Sequence, residues 1–366
     1  MSHNYVAVQW TRRKLIYDAT LLGLVGLYLL AFMQISHWIA DWRNISLETD
    51  GVAIRAYGSA AYILLHVTLS IGPLSRLNPR FHALLFNRRH LGVMVFLLGA
   101  IHVSGWALPN QPWIWFGLKT PKLPWSFFGA IDWYNNFGNL DPIVSLFTGN
   151  RHLSSFVQFP FELLGIVGLT VLFVMAAISH DFWLTNLTAP VWKAIHMTIY
   201  VGYAALVGHV LLGALQSNRS PWLATLVLAG LFWILTIHLL SGWREWRIDR
   251  DPLIPDANGW VDVGAIEDIP DGEGCVLFFA GERVALFRQG TQAFALSNVC
   301  QHQNGPLGEG RVINGCAVCP WHGYEYELES GASPPPFQER VPTFPVRLQD
   351  GRILLGLPTA TDENYE

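Results

Sequence analysis

The sequence predicts an α-helical membrane bundle of six transmembrane helices followed by a small all-β domain, and three observations carry that prediction. Composition is the first: 51% hydrophobic and 14% charged residues, 16 tryptophans and a mean hydropathy of +0.30 are not those of an ordinary soluble chain of 366 residues. Distribution is the second, because nearly all the long apolar runs lie before residue 243 and most acidic residues after 250. Pattern is the third, since the chain beyond 258 reads as short strands punctuated by Gly and Pro turns. A net charge of −4 argues against a nucleic-acid partner.

The six apolar segments run roughly 16–36, 56–75, 89–107, 161–180, 190–214 and 221–241, each near the ~20 residues that cross a hydrocarbon core. Their interiors are apolar on every face, as lipid-embedded helices require. Arg12, Arg13 and Lys14 precede the first segment as in a signal peptide, but no small-x-small cleavage site follows, so an uncleaved span is expected. Basic residues are dense at the N-terminus, in the 2–3 connection (Arg76, Arg80, Arg88, Arg89), in the 4–5 connection (Lys193) and after the last span (Arg244, Arg247). Those on the other side (Arg43, Arg55, Lys119, Lys122, Arg151, Arg219) are spread over a much longer total. The bias predicts an integral protein of the inner (cytoplasmic) membrane with both termini and the β domain in the cytoplasm.

The expected domains are the bundle at 1–241, a charged, proline-bearing linker at 242–257, the β domain at 258–358 and a tail at 359–366. The 108–160 connection holds Trp113, Trp115, Trp125 and Trp133 among prolines and glycines. It is expected to form short interfacial elements with tryptophans at headgroup level, the alternative being a partner-docking surface.

The chemistry is concentrated in Cys300-Gln-His302, then sixteen residues, then Cys319-Pro-Trp-His322-Gly. Each short pair offers one thiolate and one imidazole, which suits a [2Fe–2S] centre with Cys₂ on one iron and His₂ on the other. Zinc also takes Cys₂His₂, but zinc modules prefer to pair like ligands within one loop or helix. The run CQHQNGPLGEGRVINGCAVCPWHGYEYELESG resembles the Rieske family, of the ferredoxin and nitrite-reductase-small-subunit type, over roughly 258–358. The resemblance implies that Cys300, His302, Cys319 and His322 ligate the cluster. Gly305 and Trp321 stand where the quinol-oxidising branch has two bridged cysteines, so no disulfide braces the loops, which suits a reducing compartment.

Cluster tuning is expected from Tyr324 and Tyr326. The high-potential branch has a Ser at the first position and a Tyr at the second, so one of its two donors is kept. A low-to-middle place in the roughly −150 to +300 mV Rieske range follows. Cys316 forms a Cys-x-x-Cys with Cys319 but reads as a buried strand thiol, and Cys275 as core. No histidine follows His322, which rules out the mononuclear iron of a Rieske oxygenase.

Histidines inside spans form the second constellation, since ionisable groups at membrane depth are costly and by default functional. His90 and His102 are twelve residues apart in segment 3, and His196 and His209 thirteen apart in segment 5. Those separations are about 18 and 20 Å along a helix, enough to stack two bis-histidine sites. Gly99, Gly105, Gly202 and Gly208 flank them, leaving room for a flat porphyrin or a close helix approach. The runs NRRHLGVMVFLLGAIHVSGW and VWKAIHMTIYVGYAALVGHVLL resemble the ferric-reductase-like transmembrane family. That likeness implies haem b, one or two per chain, on His102, His196 and His209, with either His66 or His90 completing the inner site.

No glycine-rich dinucleotide fingerprint occurs, so no flavin or NAD site is expected. The expected function is a membrane electron-transfer protein, an oxidoreductase component relaying electrons between cytoplasmic cluster and transmembrane haems. Its donor would be a cytoplasmic protein or reductase, and its far end an outer-side acceptor or a quinone. The alternatives are a quinone-linked or assembly subunit of a larger complex, or a non-catalytic sensor.

Overall fold

The computed structural model describes residues 12–46, 49–86, 88–104, 161–187, 189–217, 221–302, 304–321 and 323–357. The 108–160 connection, Gly105, His322 and the 359–366 tail lie outside the described residues. The chain divides into two compact units, one from Met1–Thr68 with Arg89–Ile234 and one from Leu69–Arg88 with Leu235–Glu366.

The helices are α1 (Arg12–Arg43), α2 (Thr49–Leu77), α3 (His82–Leu85), α4 (Arg88–Ser104), α5 (Phe161–Ile178), α6 (Asp181–Asn186), α7 (Ala189–Met197), α8 (Ile199–Ser217) and α9 (Pro221–Arg250). The described residues of the expected spans are helical except Ser179, His180 and Thr198. By length and composition four are apolar enough to cross a membrane: Lys14–Arg43, Val52–Leu77, Pro190–Gly213 and Trp222–Arg250, with Leu163–Ile178 a shorter apolar helix. Leu22, Leu27, Leu30 and Trp38 on α1, and Leu226, Phe232 and Leu239 on α9, are exposed. A lipid-facing surface has that character.

Helices α5 and α8 meet along a glycine seam. Gly168 lies under Leu206, Gly202 against Val171, Gly208 against Leu164 and Gly213 against Phe161. Van der Waals contact of this kind, rather than hydrophobic exclusion, associates helices in lipid. Gly202 and Gly208 thus serve close helix approach and not porphyrin room.

Two boundaries differ from expectation. The fifth span is interrupted at Thr198, whose hydroxyl donates to the Ile195 carbonyl at 2.7 Å. A side chain competing for its own helix's carbonyls weakens the ladder there. The sixth helix does not stop at 241 but continues to Arg250, into the expected linker.

The β domain has three antiparallel sheets, ordered β1-β10-β9, β2-β3-β4-β8 and β5-β6-β7. The strands are β1 (Trp260–Ala265), β2 (Gly274–Phe279), β3 (Glu282–Gln289), β4 (Gln292–Ser297), β5 (Arg311–Ile313), β6 (Cys316–Val318), β7 (Glu325–Glu327), β8 (Thr343–Phe344), β9 (Val346–Gln349) and β10 (Arg352–Gly356). Asn314-Gly315 joins β5 to β6 and Asp350-Gly351 joins β9 to β10, each residue with positive φ. Tight hairpins need that conformation at both turn positions, and Asn-Gly and Asp-Gly supply it.

Side chains alternate between two cores. Phe279, Val284, Leu286, Ile353 and Leu355 fill one. Phe287, Leu296, Leu307, Tyr326 and Leu328 fill the other, together with Cys300 and Cys319.

Candidate metal and cofactor sites

Cys300 follows β4 and Cys319 follows β6, and both are 1% exposed. Their loops are the same structure twice. The N–H of Cys300 donates to the Gly305 carbonyl at 3.0 Å, and its carbonyl accepts from Asn304 N–H at 2.7 Å. The N–H of Cys319 donates to the Tyr324 carbonyl at 2.7 Å, and its carbonyl accepts from Gly323 N–H at 2.9 Å. Asn304 and Gly323, each four residues on, both take the left-handed conformation, with φ of 56° and 73°. Each loop therefore curls around its own thiol.

The loops also face each other. A Cβ at Gly305 would lie 2.7 Å from Cys319 Sγ and 3.2 Å from the Trp321 ring. No disulfide joins any of the four cysteines. Among the described residues no three His, Cys, Asp or Glu side chains converge as a metal cage, and the fourth expected ligand, His322, lies outside them. Two buried thiols on facing, backbone-pinned turns, with an imidazole on the first of them, still fit a mixed cysteine and histidine iron–sulfur group. Cys316 lies in β6, where burial pushes its thiol pKa up. Burial likewise pushes Cys275, on the other core, up to about 11. Neither thiol favours the thiolate form a ligand needs.

The two expected tuning phenols divide their roles. Tyr326 is fully buried, its oxygen 3.0 Å from the Gln301 N–H that it accepts and 3.4 Å from Cys300 Sγ. With the N–H on its lone pair, the phenol proton is left for sulfur. Burial first, then the Cys300 sulfur, raises its pKa, so it stays a donor. Tyr324 instead donates to Glu339 Oε2, and its ring stacks on His302 at 4.9 Å and 8°. It orients the imidazole and does not reach a sulfur by that hydroxyl. Glu339 was invisible to sequence reasoning, because a contact across fifteen residues of loop has no local pattern.

In the helical unit the structure brings His102 and His209 together, with ring centres 6.3 Å apart and planes at 84°. Their seats are again one device used twice. His102 Nδ1 lies 2.8 Å from the Ile54 carbonyl and against Gly58. His209 Nδ1 lies 2.9 Å from the Phe161 carbonyl and against Gly165. In both, the carbonyl and the glycine are one helical turn apart, and a Cβ on the glycine would come within 2.9 or 2.7 Å of the ring. A carbonyl on Nδ1 fixes the tautomer and presents Nε2 as the ligating nitrogen. Two imidazoles on one metal, with bonds of about 2 Å, stand about 6 Å apart at their centres. The pair fits a haem iron.

The other histidines are placed separately. His66 lies with Nδ1 2.9 Å from the Tyr62 carbonyl and Nε2 3.0 Å from the Tyr203 hydroxyl. His90 Nδ1 pairs with Asp18 Oδ1 at 2.6 Å. His196 stacks on Trp192 with ring centres 4.0 Å apart. Asp18 was missed, yet a carboxylate inside the first apolar segment was a signal of the same kind as the histidines.

Comparison with known proteins finds one family in the helical part of the chain and another in the β domain. Residues 259–345 match the model of the Rieske [2Fe–2S] domain, and residues 57–207 that of the ferric reductase like transmembrane component. The anthranilate 1,2-dioxygenase ferredoxin subunit of Burkholderia cepacia is 33% identical over 26% of this chain and 88% of its own length. The ferredoxin component of the alkene monooxygenase system of Xanthobacter autotrophicus is 31% identical over 26% of this chain and 80% of its own. Among solved structures, the ferredoxin of carbazole 1,9a-dioxygenase from Nocardioides aromaticivorans aligns over 26% of this chain and 96% of its own, at 24% identity and a TM-score of 0.25.

Proposed function

Since the chain belongs to the Rieske [2Fe–2S] family in its C-terminal domain and carries a ferric reductase like transmembrane component before it, we propose that this membrane electron-transfer oxidoreductase relays single electrons between a cytoplasmic cluster and haem b in the bundle. Cys300, His302, Cys319 and His322 hold the cluster, and His102 and His209 hold the outer haem. The facing imidazole pair at 6.3 Å carries the reading. When bound, each group exchanges one electron without any bond being made or broken. The chain's own residues therefore have only to hold, insulate and tune. Leu307 and Leu328, buried beside the two thiols, with the partly buried Trp321 packed against them, would keep water from the cluster, and Tyr326 would stabilise its more negative reduced state through Cys300.

For the inner haem we assign His196 with His90 rather than His66. The Asp18 carboxylate on His90 Nδ1 is the partner that orients a ligating imidazole, whereas His66 Nε2 is engaged by Tyr203. Six spans would leave both termini on one side, and the density of basic residues there makes that side the cytoplasm of an inner-membrane protein, so a cytoplasmic donor protein meets the cluster and an acceptor lies on the outer side. The ferredoxin relatives support a protein partner at the cluster. The test is the haem-to-protein ratio of the purified chain by pyridine haemochrome, with iron quantified beside it. A ratio near two, with two further irons, fits the full relay; zero haem with the cluster present overturns it.

A further inference from the structure

The first ligand loop is gripped at both ends by residues far away in sequence. At its start, Asn298 N–H donates to the Arg283 carbonyl at 2.9 Å. At its finish, the turn Leu307–Glu309 is tied back to Asn298, whose carbonyl accepts from Leu307 N–H at 2.9 Å and whose Oδ1 accepts from Gly308 N–H at 2.8 Å. Asn298–Glu309 is thus one closed unit carrying Cys300 and His302.

Both grips lead to helix ends. Glu309 Oε1 pairs with Arg76 Nε of α2 at 2.9 Å, with the Glu309 side chain only 9% exposed. Burial raises the Glu309 pKa, and Arg76 opposes that shift. Arg283 forks onto α9: its Nη1 reaches Glu245 Oε2 at 2.5 Å, while Nε and Nη2 reach the two Asp249 oxygens at 2.8 and 2.9 Å. Glu245 and Asp249 are one turn apart on a single helix face, so one guanidinium spans both. The two helix ends are in turn joined, because Arg244 Nη1 donates to the Arg76 and Leu77 carbonyls at 2.6 and 2.7 Å.

We propose that Arg76–Glu309 and Arg283–Glu245/Asp249 form an electrostatic clamp that fixes the cluster-bearing loop to the ends of α2 and α9 and so positions the cluster for electron exchange with the bundle. Its positioning role rests on the relay reading; the clamp does not. Charged contacts suit the task, since they fix register; the more exposed Arg283–Asp249 pair is open to screening by salt, and the Arg76–Glu309 pair, with its buried carboxylate, less so.

The experiment uses the full chain in detergent with the variants Glu309→Gln and Arg283→Gln. Trypsin cleavage after the exposed Arg250 reads the clamp alone. Rapid-mixing reduction of haem through the cluster reads positioning. Both variants are expected to speed cleavage several-fold and slow haem reduction several-fold, with cluster and haem spectra unaltered. The exchanged pair Arg76→Glu with Glu309→Arg should restore both rates. Should a variant fail to fold, wild-type cleavage at about 1 M ionic strength, where screening acts within about 3 Å, should rise in the same way. Unchanged cleavage in both variants and in salt overturns the clamp. Faster cleavage with unchanged haem reduction overturns the positioning role. A wild-type chain whose haem stays oxidised beside a reduced cluster overturns the relay, while the cleavage rates still judge the clamp.

Discussion

In the helical unit, the proposed haem histidines are seated by partners forty-eight residues away, Ile54 for His102 and Phe161 for His209. In the β domain, the proposed cluster cysteines are seated by residues four and five positions on, Asn304 and Gly305 for one and Gly323 and Tyr324 for the other. Each unit duplicates its own device. In the helices glycine supplies space, and in the second loop it supplies a left-handed turn. A helix cannot curl its own backbone around a side chain, because its carbonyls are already committed. His102 and His209 each borrow a second acceptance from a neighbouring helix's carbonyl, with the approach cleared by a residue that has no Cβ, whereas His66 leans on the Tyr62 carbonyl of its own helix. A loop has uncommitted N–H and carbonyl groups and can build the seat locally.

The largest effect that would sharpen this contrast is loss of one group alone. His209→Ala is expected to remove about one haem per chain and leave the cluster's electron paramagnetic resonance signal intact, while Cys300→Ser removes that signal and leaves the haem spectrum. Full haem content in His209→Ala would break the assignment. Next come the seats themselves. Gly165→Ala and Gly58→Ala place a Cβ within 2.7 and 2.9 Å of an imidazole, and crowding of that kind costs about 1–3 kcal/mol. Haem occupancy in both should fall. The control is Gly26→Ala, whose Cβ meets nothing within 4 Å, and its spectrum should match wild type.

A smaller effect separates the two phenols. Tyr326→Phe removes a hydrogen bond to sulfur worth about 1 kcal/mol, or about 40 mV for a one-electron couple, and should lower the cluster midpoint by that much in a redox titration. Tyr324→Phe should leave the midpoint close to wild type, because its hydroxyl is spent on Glu339. The smallest is a pH dependence at His82, which is buried with Glu273, Arg311 and Arg244 as charged neighbours. Burial lowers its pKa. The unfolded chain then takes up a proton near pH 6.5 that the folded chain does not. Thermal stability should decline as pH falls below about 6.5, and His82→Gln should flatten that limb.

The contrast also explains what was legible. The Cys-x-His and Cys-x-x-His pairs stood out because their geometry is local, and the short strands with Gly and Pro turns were legible for the same reason, though Asn314-Gly315 and Asp350-Gly351 were not singled out as hairpins. Spans were legible because lipid demands apolar residues on every face. The twelve- and thirteen-residue separations already set His102 level with His209, but Gly58, Gly165, Glu309 and Arg283 gave no sign, since each acts through a partner on another element. The interruption at Thr198 escaped because a threonine inside an apolar run gives no sign of which carbonyl its hydroxyl will choose.

That interruption bears on rotational phase. An ideal helix turns about 100° per residue, so the thirteen residues from His196 to His209 would leave their imidazoles about 220° apart in azimuth, on nearly opposite faces. Only Thr198 separates α7, ending at Met197, from α8, beginning at Ile199, and the ladder runs on across it: Thr198 N–H donates to the Ile195 carbonyl and Gly202 N–H to the Thr198 carbonyl, each at 3.0 Å. The azimuth of His196 is set through its stacking on Trp192 within α7, and that of His209 through the Phe161 carbonyl. One span thereby carries two imidazoles on different faces, each held by its own partner.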